Sequence, residues 1–113
     1  MDSRPADVVT AIDDLIEAID ETCEDAESVV GSAEALRERT VAGASFGEAL
    51  AEEPRPPLLQ HVTVLHRRLG ESLSQLRRAQ AAQLRREGET VDQIARRLGV
   101  TRQRVSALLK PDG

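Results

Sequence analysis

From Val8 to Val30, apolar residues recur at steps of three and four: Val8, Ile12, Leu15, Ile16, Ile19, Cys23, Ala26 and Val30. That period lines one side of an α-helix. Asp13, Glu17, Asp20, Glu21, Glu24 and Asp25 take the positions between. The pattern predicts a first helix from about Pro5 to Val30. Pro5 suits a first turn, where no backbone hydrogen bond is lost, and Gly31 reads as the stop. Ser32 reads as the cap of a second helix, Ala33 to about Val41, which Ala42–Ser45 then breaks. Ser45 and Glu48 have the spacing of a capping box for a short helix to about Glu53.

The run Pro54–Pro57 punctuates the chain, and a long helix is expected to begin there. Leu58, Val62, Leu65, Leu69, Leu73 and Leu76 predict its buried stripe, which weakens to Ala79, Ala82 and Leu84 before Gly88 ends it. Leu58, Val62, Leu65 and Leu69 step as a heptad seam, but Ser72 is next. Fewer than two clean heptads is too short for a free-standing coiled coil and fits a bundle, within the chain or against a second copy. There is no internal repeat, no β-branched run of period two and no Asn-Gly or Asp-Gly hairpin signal. The expected class is all-α.

The last stretch carries the densest local signals. Gly88 suits the close of one helix, and Thr90 stands three residues before Gln93 as a second capping box. Ile94, Ala95 and Leu98 share one face of the helix that follows. Ala95 is small enough for another helix to cross closely. Gly99 supplies a sharp turn. Thr101 is a good N-cap, with Val100 and Val105 placed to form a hydrophobic staple. Val105 and Leu108 are expected to face inward, and Arg102, Gln103, Ser106, Ala107 and Lys110 outward.

Charge divides along the chain. Its 113 residues carry a net charge of −5. Met1–Glu53 holds 15 acidic and 3 basic residues, and Pro54–Gly113 holds 5 acidic and 12 basic. Such a split points to a polyanion partner for the second half alone. With 40% apolar residues and Phe46 the only aromatic, the core must be aliphatic, and Phe46 is expected to plug it. Cys23 is alone and fits a small core residue in a reduced, cytoplasmic protein. The first residues lack a signal-peptide pattern, and no apolar run approaches a membrane span. His61 and His66 lie about 140° apart on a helix, so they cannot share a metal. No metal site, cofactor, nucleophile–base pair or phosphate-cradling loop is visible, and no enzyme activity is expected.

Ala95, Gly99 and Val105, supported by Ile94, Leu98, Val100 and Leu108, resemble the helix-turn-helix of bacterial DNA-binding proteins. Extended back to about Leu76, the segment resembles the three-helix form at the C-terminus of resolvases and invertases and in sigma-factor-like regulators. The resemblance covers about Leu76–Lys110. It implies a last helix, about 102–110, that enters the major groove of double-stranded DNA. It implies base contacts from Arg102, Gln103 and Ser106, base or backbone contacts from Arg104 and Lys110, and phosphate contacts from Thr90 and Thr101. Arg and Gln can pair bidentately with guanine and adenine. Arg77, Arg78, Arg85, Arg86, Arg96 and Arg97 add positive charge, some of it aimed at the backbone. With three residues after Lys110, a β-wing is not expected, and the catalytic domain of resolvases is absent from the sequence.

The expected organisation is an acidic helical region (1–53) for dimerisation or partner binding, a Pro-rich junction with the start of the long helix (54–75), and a helix-turn-helix domain (76–113). The expected function is a sequence-specific transcription regulator, acting as a homodimer through the apolar stripes of the first and long helices. The alternative is a protein-interaction adaptor or sigma-factor-like antagonist whose acidic half is the working surface.

Overall fold

The computed structural model describes residues 6–110, Ala6 by its backbone only. It contains five helices and, among the described residues, no strand: α1 (Ala6–Val41), α2 (Phe46–Ala51), α3 (Leu58–Arg86), α4 (Val91–Leu98) and α5 (Arg102–Leu109). The all-α expectation holds. The chain divides into two compact units. One is built from residues up to Ile16 together with those from Gly70 onward, and the other is Glu17–Leu69. Pro5, expected to open the first helix, lies outside the described residues.

The first and second expected helices are one. α1 runs through Gly31 and Ser32 without a break, and Gly31 lacks the positive φ of a helix stop. An interior glycine costs about 1 kcal/mol relative to alanine. The good helix formers that follow, Ala33 to Arg37, offset this. The stop comes at Gly43, where φ is 100° and the amide donates to the Thr40 carbonyl.

The face that α1 buries is also not the expected one. Ala11 and Ala18 are its buried residues, with Val8 and Leu15 half-buried, whereas Ile12, Ile16, Ile19, Cys23, Ala26 and Val30 are exposed. Cys23 is therefore not a core residue. On α3, Val62 and Leu73 are likewise exposed, and Ser72 is buried. Small residues win the inward positions because they let a neighbouring helix approach closely, which larger β-branched side chains would prevent.

Within Glu17–Leu69, α1 and α3 run antiparallel, as two sets of charged contacts show. His61 lies 3.4 Å from Asp25, while Arg68, further along α3, pairs with Glu21 and Glu17, earlier on α1. Arg68 is thus held by ion pairs across to α1. At the end of α1, the Arg39 guanidinium donates to the Ala49 carbonyl at 3.1 Å and lies 3.6 Å from Glu52.

α2 buries Ala49 completely and leaves Phe46 57% exposed. Phe46 plugs nothing, because the one inward position of this six-residue helix belongs to Ala49. Ser45 caps α2 through the Glu48 amide at 3.2 Å. The expected reciprocal bond is replaced: the Glu48 carboxylate accepts from the Ser45 hydroxyl, not from its backbone N–H. α3 begins after the prolines, and the Glu53 carboxylate accepts from the Leu58 amide at 2.8 Å, which satisfies one of its orphan N–H groups.

Candidate nucleic-acid interface

The end of α3, α4 and α5 share one aliphatic core. Ala81, Ile94, Ala95, Val105 and Leu108 are buried, and Leu84, Val91, Leu98, Val100 and Leu109 pack against them. Two glycines with left-handed backbone make the turns. Gly88 has φ 94°, and Glu89 N–H returns to the Leu84 carbonyl at 3.1 Å. Gly99 has φ 69° and ψ 33°, and Val100 N–H returns to Ala95 at 3.1 Å. Both are Schellman-type closures that satisfy carbonyls at a helix end.

Each short helix starts on a threonine. Thr90 and Gln93 form the full capping box, with bonds of 2.8 and 3.2 Å. Thr101 accepts the Arg104 amide at 3.0 Å. Val105 is fully buried with Val100 packed on the core, as a hydrophobic staple requires. α4 and α5 are thereby fixed against each other across the Gly99 turn.

That packing turns one side of α5 outward. Arg102, Gln103, Arg104, Ser106 and Lys110 are all exposed, as are Thr90 and Thr101. Arg102, Gln103, Ser106 and Lys110 come together around an open groove that Val91 and Ala107 complete. The two threonines stand at the two helix starts, and Arg104 lies outside the groove lining. An α-helix with its side chains is about 10–12 Å across, which fits the B-DNA major groove, about 12 Å wide.

Residues 72–110 match a family described as the homeodomain-like domain. This match supports a helix-turn-helix DNA-binding family at the C-terminus. The homeodomain-like segment covers about a third of the chain, and no curated protein and no solved structure matches the chain.

Three side chains in and around the homeodomain-like segment were not legible as site residues. Asp92, in the first turn of α4, pairs with Arg102 at 2.7 Å. Glu89, half-buried, pairs with Arg97 at 2.7 Å. That hydrogen bond, then the Glu89 charge, raises the Arg97 pKa and holds its guanidinium charged. Arg85 also turns to this loop, donating to the Glu89 carbonyl at 2.9 Å. Arg85 and Arg97 are thus engaged with the α3–α4 turn, not aimed solely at a phosphate backbone. Gln83 is buried and bonds Glu87 and Arg86. Opposite charges at Asp92 and Arg102 were a signal, but which charges meet depends on how α4 crosses α5, and sequence spacing does not give that. Among the described residues, no cluster of His, Cys, Asp or Glu could hold a metal ion, and no helix is long and apolar enough to cross a membrane.

Proposed function

We propose that this protein is a sequence-specific transcription regulator that reads double-stranded DNA with α5 in the major groove and acts as a homodimer. One observation carries the reading. The inner side of α5 is committed to the core through Val105 and Leu108, while its outer side gathers Arg102, Gln103, Ser106 and Lys110. Residues 72–110 hold nine basic and three acidic side chains, the balance expected of a surface that meets phosphates. In this reading Arg102, Gln103 and Ser106 contact base edges, and Arg104 and Lys110 contact bases or backbone. Thr90 and Thr101 hold phosphates at the two helix starts. The acidic region 1–53 serves dimerisation or partner contact, 54–75 joins it to the reader, and 76–113 reads DNA. One such module makes few base contacts, so two half-sites about 34 Å apart are expected.

The test is selection from a random duplex library with the purified chain, followed by anisotropy titrations on the selected and a scrambled sequence. Affinity should fall steeply with salt. Arg102→Ala and Gln103→Ala should each reduce the preference for the selected site by ~1–3 kcal/mol while binding to scrambled DNA persists. Equal losses on both duplexes would remove these residues from base readout. Absence of any salt-sensitive binding would remove DNA as the partner. The exposed acids Asp20, Glu24 and Glu27 on α1 support a second reading, an adaptor whose acidic face docks a basic protein surface. Capture of a protein partner with no DNA binding would favour it.

A further inference from the structure

The Glu17–Leu69 unit leaves apolar side chains exposed on one face. On α1, Ala18 is buried, and Thr22, Asp25 and Val29 are half-buried. On α3, Leu58, His61, Leu65 and Leu69 are half-buried. These rows face each other, as the Asp25–His61 contact shows. One position further along each helix, about 100° around it, lies a second row. On α1 it is Ile19, Cys23, Ala26 and Val30; on α3 it is Leu59, Val62 and His66. Antiparallel helices seen from one end turn in opposite senses, so both advances lead to the same face of the hairpin. Neither row contains Asp, Glu, Lys or Arg. The face is nonetheless left in water: Ile19 is 45% exposed, Val30 55%, Leu59 76% and Val62 40%.

We propose that this face seats a second copy of the chain, with α1 of one copy lying on α3 of its partner in a four-helix bundle. This deepens the reading above by giving its homodimer a surface, and it rests on that reading only for the expectation of two copies. Charge chooses both the occupant and its orientation. The outer edge of the α1 row is Asp20, Glu24 and Glu27, and the outer edge of the α3 row is Gln60, Thr63 and Arg67. Placing α1 on the partner's α1 would set the acidic edges against each other, and like charges across an interface are unfavourable. Rotating the copy about a two-fold axis parallel to the helices sets each acidic edge beside a neutral-to-basic one. The contact is then self-complementary and closed, as a two-fold dimer requires.

Sedimentation equilibrium of the full chain tests the surface. The wild type should have twice the monomer mass of 12.3 kDa. Val62→Glu puts a carboxylate into the apolar row of each copy and should raise the dimer dissociation constant at least ~100-fold. Val64→Glu is the control. Val64 is on the same helix, 50% exposed and off the row, so its variant should stay dimeric. Arg67→Glu should weaken the dimer severalfold, because it makes both edges acidic. Unchanged far-UV circular dichroism would establish that each variant is folded. A monomeric wild type overturns the proposal. So does equal dissociation by Val62→Glu and Val64→Glu, or a tighter dimer with Arg67→Glu. A dimer that binds no DNA leaves this surface standing and defeats the DNA reading, whereas a monomer that binds DNA does the reverse.

Discussion

Two glycines, changed in the same way, should move stability in opposite directions. Gly31 lies inside α1, and Gly99 closes α4 with φ 69°. A Cβ built at either position meets no other atom within 4 Å, so packing drops out and only the backbone decides. At Gly31, alanine removes the entropic cost of an interior helical glycine, a gain of about 0.8–1 kcal/mol. At Gly99, alanine must hold a left-handed conformation, a loss of about 1–2 kcal/mol. For a chain of this size, 1 kcal/mol corresponds to about 4 °C in Tm. Gly31→Ala should therefore raise the midpoint by about 3–4 °C, and Gly99→Ala should lower it by about 4–8 °C. Thermal unfolding followed by far-UV circular dichroism reads both midpoints, and urea unfolding gives the free-energy changes as shifts in its midpoint at constant slope. A loss of stability in Gly31→Ala would mean that the chain turns at that residue, as the local sequence pattern alone suggests, and the continuous 36-residue α1 would be wrong. A neutral Gly99→Ala would remove the left-handed turn on which the placement of α5 depends.

Three further outcomes are expected. Ile94 is fully buried in the core of α3, α4 and α5, so Ile94→Ala should cost about 2–5 kcal/mol in a denaturant titration, and a cost below 1 kcal/mol would displace that core. Thr101→Ala should cost about 1 kcal/mol by removing the acceptor for the Arg104 amide, while Thr101→Ser should be close to neutral in the same assay. Asp92→Asn breaks the ion pair with Arg102, both partners more than half exposed, so stability should change by less than about 1 kcal/mol. If α5 meets DNA as proposed, affinity for random duplex at low salt should rise in this variant, and an unchanged affinity would place Asp92 away from the phosphates.

The homeodomain-like segment was legible because its instructions are local. Thr90 with Gln93, Gly99, and Thr101 with Val100 and Val105 each act within a few residues, so spacing alone specifies the cap, turn or staple, and the structure has all of them. α1 was not legible in the same way because it carries two rows one residue apart. Ala11, Leu15 and Ala18 form one, and Ile12, Ile16 and Ile19 the other, and both repeat with helical period. A rule that looks for the greasier row selects the isoleucines. The fold buries the alanines, and on the Glu17–Leu69 unit the ion pairs of Arg68 with Glu17 and Glu21, on either side of Ala18, fix that side toward α3. The choice rests on a helix more than forty residues away, which no window along α1 contains. An apolar row as regular as Ile19, Cys23, Ala26 and Val30 costs solubility when it faces water. Within one copy it is left over once the alanine row has taken α3, and in the proposed dimer a second copy buries it without setting α1's acidic edge against itself.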